Sequence, residues 1–412
     1  MTMIATQKYL PQMFQSTLKS FAVLLPLALT ACGGTPEKMM TPTTFEVDSS
    51  AKTIPIVVAT TRLASEDPGI LFTGKRGDLA YANVKISIPP THVDGEIEWP
   101  KSLPADPSKY FATQSAEHIK PQQFRTAVRK NIQQYRTGGK VFVFIHGYNT
   151  KFDAAVMRLA QIASDSNSNV TPVLFTWPSQ GKLFGYPYDR ESAAYSRDAL
   201  ELVLKELANE PSVTDITVLA HSMGNMVALE SLRQMAVRNG EVSRKIRSVI
   251  LASPDVDVDV ARTLISGMGK RPPHFTLFIS RDDRALMASR LIWGSTDRLG
   301  QINPLQEPYR AELAEYKHMD VFDLTNLQTG DSTNHTKFAQ SPAVVQFVGK
   351  YLMSGKPIDT GRMGLGDHIG AFVLGTTNAV GNAATAAVAA PISIIDPATR
   401  ENLTDRFGAF VP

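Results

Sequence analysis

The run Ile216-Thr217-Val218-Leu219-Ala220-His221-Ser222-Met223-Gly224-Asn225 decides how this chain folds. Its first five residues are apolar or β-branched and read as a buried strand, and a helical pattern from Asn225 to Arg238 begins directly after the serine. Strand, sharp turn and helix therefore meet at Ser222. A serine hydroxyl is a weak nucleophile until a base removes its proton and donors wait for the oxyanion that its attack creates. A tight strand-to-helix turn serves both needs: it lifts the hydroxyl off the sheet and aims the N–H of Met223 at the developing charge. Backbones nearly touch at such a turn, so small residues must flank it, and here they are Ala220 and Gly224. The motif is A-x-S-x-G where G-x-S-x-G is usual.

Outward from this turn, strands and helices alternate. Val141-Phe142-Val143-Phe144-Ile145 is a continuous apolar run, as a strand buried on both faces requires. A helix is expected over Phe152 to Ala163, a strand over Val173 to Trp177, and a helix over Arg190 to Ala208 with an apolar face at Tyr195, Ala199, Leu202, Val203 and Leu207. Strands follow at Ser248 to Ala252, Phe275 to Ile279 and Asp320 to Leu324, then a closing helix from Pro342 to Leu352. The pattern predicts an α/β fold: a mostly parallel, doubly wound sheet flanked by helices, with its site at the carboxyl ends of the strands. Residues 137–355 are its core. Upstream, Ile54 to Thr60 and Val84 to Ile88 read as short strands separated by a turn-rich loop, Phe72 to Gly77, and Gln122 to Tyr135 as a helix. Residues 51–136 form either an N-terminal β-containing extension or the first strands of the main sheet.

Composition narrows the function. The net charge is +3 over 412 residues, with 42 basic against 39 acidic, and no basic run carries interleaved aromatics, which argues against a nucleic-acid partner. The single cysteine, Cys32, rules out an intrachain disulfide framework or thiolate metal site. Lys8 and Lys19 precede an apolar stretch, Phe21 to Leu29, too short to span a bilayer but suited to a signal peptide. The tetrad Leu29-Thr30-Ala31-Cys32 resembles a bacterial lipobox, in which the cysteine is lipidated and becomes the mature N-terminus. Residues 1–31 are then a lipoprotein signal peptide and 32–50 a Thr/Pro/Ser-rich tether. The expected location is the cell envelope, lipid-anchored and extracytoplasmic.

A serine nucleophile needs a histidine base and an acid to orient it. Of the eight histidines, His221 is adjacent to the serine and faces away, with packing as its role. His92 and His118 show no partner and read as surface residues. His274 and His318 precede strands, at the wrong end of the sheet. His335, in the polar loop Thr329 to Thr336 between the last strand and the last helix, can reach over the sheet edge, and is the expected base. The acid is expected after the strand Phe275 to Ile279, at Asp282 or Asp283, giving the order Ser…Asp…His. Asp255, Asp257 and Asp259 after the preceding strand are a rival set; their spacing lacks the glycine turn and terminal glutamate of a calcium loop, so no metal and no cofactor is expected. The second oxyanion donor is expected from His146-Gly147-Tyr148, through the N–H of Tyr148 beside that of Met223. Trp177 either lines the substrate pocket or is a buried structural residue.

The stretches Phe144-Ile145-His146-Gly147-Tyr148-Asn149, Phe175-Thr176-Trp177-Pro178-Ser179, Ala220 to Asn225 and Ser280-Arg281-Asp282-Asp283-Arg284-Ala285-Leu286 together resemble a little-characterised bacterial family of α/β-hydrolases. The likeness extends over roughly residues 50 to 355, including Arg76-Gly77 and Ile88-Pro89. It implies an α/β-hydrolase fold and esterase- or lipase-like chemistry, with the acid at Asp283, before x-Ala-Leu, and the base at His335.

Residues 356–412 are an Ala/Gly-rich C-terminal segment. Ile369 to Ile395 has no charged residue, and has small residues at Ala371, Gly375, Ala379, Ala383 and Ala387, a second candidate for membrane contact or helix self-packing. The function expected from sequence is a serine hydrolase cleaving small-molecule or lipid-like carboxylic esters through an acyl-enzyme. The alternative is a non-catalytic envelope lipoprotein that uses the fold for binding or scaffolding.

Overall fold

The computed structural model describes residues 36–292, 296–316 and 318–352, and every element below lies in the unit that begins at Glu37. The expected lipidation site Cys32 and the segment Ile369 to Ile395 lie outside the described residues.

In chain order the elements are β1 (Lys52–Ala64), β2 (Phe72–Ile88), β3 (Ala112–Ile119), α1 (Phe124–Gln134), β4 (Lys140–Ile145), α2 (Phe152–Asp165), β5 (Thr171–Thr176), α3 (Tyr186–Asn209) and β6 (Asp215–His221). They continue as α4 (Gly224–Asn239), β7 (Ile246–Ala252), α5 (Val258–Ser266), β8 (His274–Ile279), α6 (Arg284–Ile292), α7 (Tyr309–Glu315), β9 (Met319–Asp323), α8 (Lys337–Gln340) and α9 (Pro342–Phe347). A single nine-stranded sheet runs β3-β2-β1-β5-β4-β6-β7-β8-β9. From β1 to β9 every neighbouring pair is parallel, while β2 and β3 add antiparallel strands at one edge.

Burial on both faces explains the apolar runs. In β4, Val141, Val143 and Ile145 join the core on the side of α3 and α4, while Phe142 and Phe144 join the core on the side of α2 and α9. A side chain buried this completely stabilises the fold by roughly 2–3 kcal/mol. The pleat divides such a strand between two cores, so a polar residue anywhere in it would be stranded without a partner.

Two expectations are corrected and one open alternative is decided. Phe72 to Gly77 is strand, paired with the end of β1 through Ala64↔Phe72 and Arg62↔Arg76 across two register shifts. Its glycines mark close approach, since a Cβ on Gly77 would lie 2.8 Å from Leu63 Cα. The N-terminal strands are continuous with the main sheet, because β1 pairs directly with β5 from Val57↔Val173 to Thr60↔Thr176. In α3 the buried stripe is Ala193, Leu200, Val203, Leu204 and Leu207, whereas Tyr195 and Leu202 are exposed. Among the described residues no helix is long and apolar enough to cross a membrane.

Candidate active site

Ser222 stands at the apex between β6 and α4 with φ at 52°, a left-handed conformation that is strained for a side chain with a Cβ. Four hydrogen bonds hold it there. Its N–H donates to Ala252 O at 3.0 Å, and its carbonyl accepts from Asn225 N at 3.1 Å, Asn225 Nδ2 at 2.9 Å and Asp255 N at 3.2 Å. Gly224 makes the turn possible, since a Cβ there would lie 2.4 Å from His146 O. Gly147 does the same from the other side: its Cβ would meet Ser222 Cβ at 2.8 Å. The loop that follows β4 is thus in contact with the serine. Among the described residues the N–H groups of Tyr148 and Met223 donate to no protein acceptor.

Asp283, fully buried at the start of α6, accepts a 2.7 Å hydrogen bond from Nδ1 of His335. Nε2 of His335 has no protein partner among the described residues, which leaves its lone pair free. Burial alone would push the His335 pKa down, but the charge of Asp283 and its hydrogen bond, with Asp255 and Asp331 farther off, raise it above 6.5. The loop around His335 is pinned by Asp331, whose Oδ2 accepts from the N–H groups of His335 and Thr336, each at 2.7 Å. Hydrogen bonds from Thr333 and Thr336 outweigh burial at Asp331 and hold its pKa down at about 2. The structure brings Asp283 and His335 together and sets the His335 ring 4.6 Å from the ring of His221, the residue before Ser222. No hydrogen bond joins the Ser222 hydroxyl to His335 among the described residues. Catalytic hydrogen bonds are often long without substrate and tighten when it binds.

The other candidates have other partners. Asp282 turns to Lys337, a buried cation that contacts both its oxygens at 2.9 and 3.0 Å. Asp255 accepts from Tyr186 Oη and Ser289 Oγ, each at 2.6 Å, while Asp257 caps α5 and Asp259 pairs with Arg262. His221 packs as expected: its ring lies 4.8 Å from that of Phe338, its Nε2 donates to His335 O at 3.2 Å, and burial, then the neighbouring His335, holds its pKa well down. Trp177 is the structural alternative, fully buried, with Nε1 donating to His146 O at 2.9 Å and its ring stacked on that of His146.

Residues 120–351 match the family model described as "Alpha/beta hydrolase of unknown function (DUF900)". The chain belongs to this family. Similarity also extends to an uncharacterized protein of Nostoc sp., 23% identical over 205 residues, covering 36% of this chain and 53% of that protein, so the match spans about half the length of that curated relative. Among solved structures, an esterase of Pyrococcus furiosus covers 77% of this chain and 99% of its own at 13% identity and a TM-score of 0.33. A siderophore hydrolase of Aspergillus nidulans covers 77% and 99% at 10% identity and a TM-score of 0.34. The family assignment and the parallel sheet make this chain an α/β-hydrolase.

Sequence reading missed two parts of the site. Asp331 looked like one polar residue in a polar loop, and its capping role depends on the turn it closes. Arg62 lies just past the strand expected over Ile54 to Thr60, yet it is one of the largest fully buried side chains described. A charged residue continuing a buried strand was the one available signal.

Proposed function

We propose that the chain is a serine hydrolase that cleaves carboxylic esters through an acyl-enzyme. The observation that carries this reading is the Asp283–His335 hydrogen bond, set beside a serine at positive φ on a strand-to-helix turn. Ser222 Oγ attacks the ester carbonyl carbon while its proton passes to Nε2 of His335. The C–O bond to the leaving group then breaks, and that proton goes to the departing alkoxide. Water enters by the same route in reverse: His335 takes a proton from it as a new C–O bond forms, then the bond to Ser222 breaks as His335 returns that proton to Ser222 Oγ, releasing the carboxylic acid. Asp283 holds the imidazole in the Nδ1–H tautomer and stabilises the imidazolium. The N–H groups of Tyr148 and Met223 receive the oxyanion, supported by their lack of protein acceptors and by the contact of Gly147 with Ser222. Thioesters and amides would use the same groups.

The test is covalent labelling by a fluorophosphonate together with a panel of p-nitrophenyl esters of increasing acyl length. Labelling and turnover are expected in the natural protein and in neither assay for Ser222→Ala. Labelling that persists in Ser222→Ala would contradict the assignment.

The proposal extends to an envelope protein tethered through a lipid on Cys32, resting on the tetrad Leu29 to Cys32 and the apolar stretch before it. Incorporation of a labelled fatty acid, abolished by Cys32→Ala, is the expected result; incorporation unaffected by that change would rule it out.

A further inference from the structure

Arg62, at the end of β1, lies outside the stretch matched by the hydrolase family and within the N-terminal strands. Its guanidinium is 1% exposed and uses all five N–H donors without an ion pair among the described residues. Nε donates to Thr176 Oγ1 at 2.8 Å. One terminal nitrogen donates to Ser179 O at 2.9 Å and Thr73 O at 3.3 Å, and the other to Thr150 O at 2.7 Å and His146 Nε2 at 3.4 Å. The last two contacts fall at the beginning and the end of the loop whose middle is Gly147-Tyr148.

The chemistry of His146 agrees. Its Nδ1–H donates to Gly147 O at 2.8 Å, which leaves Nε2 as an acceptor for Thr176 Oγ1 at 2.8 Å, the Trp177 N–H at 3.2 Å and Arg62. Burial first, then Arg62, push the His146 pKa down to about 3, so the ring is neutral and fixed in one tautomer. A base buried in this way beside a cation is not a proton carrier. It is a spacer.

We propose that Arg62 is a positioning residue for the oxyanion loop: one guanidinium clamps His146 and Thr150 and so fixes the N–H of Tyr148 against Ser222. This rests on the serine hydrolase reading above. The margin is small, because the Gly147 backbone already lies at contact distance from Ser222, and a displacement of about 1 Å at a reacting site costs roughly 10²-fold in rate. One terminal nitrogen reaches both ends of the loop, and the planar fork fixes it there because Nε and the other terminal nitrogen are anchored on Thr176, Ser179 and Thr73; an ammonium on a flexible stem keeps the charge but lacks those anchors. The consequence is that the N-terminal strands complete the active site.

The experiment uses the purified full chain and four variants: Arg62→Gln, Arg62→Lys, Thr176→Val, and Ile54→Ala, the last at the far end of β1 as a stability control. Ester kinetics, the rate of fluorophosphonate labelling, Tm, and hydrogen exchange at residues 146–150 are measured. Both Arg62 variants are expected to lose roughly 10²-fold in kcat with KM within about threefold, labelling slowing in parallel. Thr176→Val, which removes the hydroxyl between Arg62 Nε and His146 Nε2, is expected to lose about tenfold in kcat. Ile54→Ala is expected to lower Tm and leave kcat within about twofold when assayed well below its transition. Wild-type kcat in Arg62→Lys or Thr176→Val, or losses that merely follow Tm as in Ile54→Ala, would overturn the clamp. If Arg62→Gln does not fold, Thr176→Val decides. Should the natural protein fail to react with the phosphonate, the hydrolase reading falls instead, and the clamp is judged by exchange alone: faster at 146–150 in the Arg62 or Thr176 variants but not in Ile54→Ala supports it, and unchanged exchange ends it.

Discussion

Oδ2 of Asp283 lies 2.7 Å from Nδ1 of His335, while Asp282, its neighbour in the chain, points the other way and pairs with Lys337. Asp282 also accepts from Ser280 Oγ at 2.6 Å and Asn334 Nδ2 at 3.0 Å, so its contacts hold the two loops together. Two adjacent carboxylates thus have separable contacts: one faces the imidazole of His335 and the other secures the loop that carries it. Asp283→Asn is therefore expected to lower kcat by roughly 10³–10⁴-fold, because an amide presents an N–H where the imidazole N–H must find an acceptor. Asp282→Asn should reduce kcat by less than about tenfold yet destabilise the fold by about 1–2 kcal/mol, since Lys337 stays buried with only carbonyls of Leu324 and Thr325 as full partners. Kinetics and denaturation on the pair check it; the reverse ranking in kcat would reassign the acid.

The raised pKa of His335 fixes the direction of the pH dependence. In the proposed mechanism His335 acts when neutral, so protonation removes it, and a pKa above 6.5 places the acid limb of kcat/KM above that value. Activity should be flat at mildly alkaline pH and fall tenfold per unit as the pH drops through this limb. Asp283 is the first of the groups that raise the value, so the limb measured on the residual activity of Asp283→Asn should move to lower pH. A limb that stays in place would mean that another group controls it.

The two glycines at the elbow should fail differently. In Gly224→Ala the new Cβ would fall 2.4 Å from a backbone carbonyl, His146 O, and also meets Ile145 O at 3.0 Å, so strand and helix must part. A loss of about 2–3 kcal/mol and of nearly all labelling is expected. In Gly147→Ala the nearest atom, Ser222 Cβ at 2.8 Å, belongs to the proposed nucleophile. The loop can shift outward, so stability should change less than in Gly224→Ala while kcat falls by roughly 10²–10³-fold. Tm and kcat of the two variants, compared side by side, test this ordering.

The parts of the molecule that could be read from sequence are those whose cause is local. Val141 to Ile145 had to be a strand because five apolar residues in succession fit only an element covered on both faces. Ser222 had to be an apex because a strand pattern and a helix pattern abut there without a linker. Phe72 to Gly77 was misread because its Gly, Thr and Lys content signals a turn, and only pairing with β1 makes it extended. His92, read as a surface residue, is held by two carboxylates, one of them 73 positions away. Arg62 could not be placed for the same reason: its partners Thr176 and Ser179 lie 114 and 117 positions distant. Contacts of that separation are invisible to periodicity.

His92 carries the last prediction. Its Nδ1 lies 2.8 Å from Glu98 Oε2 and its Nε2 2.8 Å from Asp165 Oδ1, with Asp165 completely buried. Asp94 is close enough for the three residues His92, Asp94 and Asp165 to resemble a metal cluster, all donor atoms falling within 4.8 Å. With a carboxylate on each ring nitrogen, however, the ring is best occupied by two protons and has no lone pair to offer a cation. Burial lowers its pKa, but the hydrogen bonds and charges of Asp165 and Glu98 outweigh this and raise it. For a histidine with a raised folded pKa the stabilisation is complete below the unfolded value, near 6.5, and is lost as pH rises through the higher folded value. His92→Gln should therefore cost about 3 kcal/mol at pH 5.5 and distinctly less at pH 9, because at high pH the natural protein has already given up the charged pair. Added zinc should leave Tm unchanged at pH 6. A gap between natural protein and variant that widens toward alkaline pH, or a zinc-dependent rise in Tm, would show that the imidazole is neutral and available as a ligand.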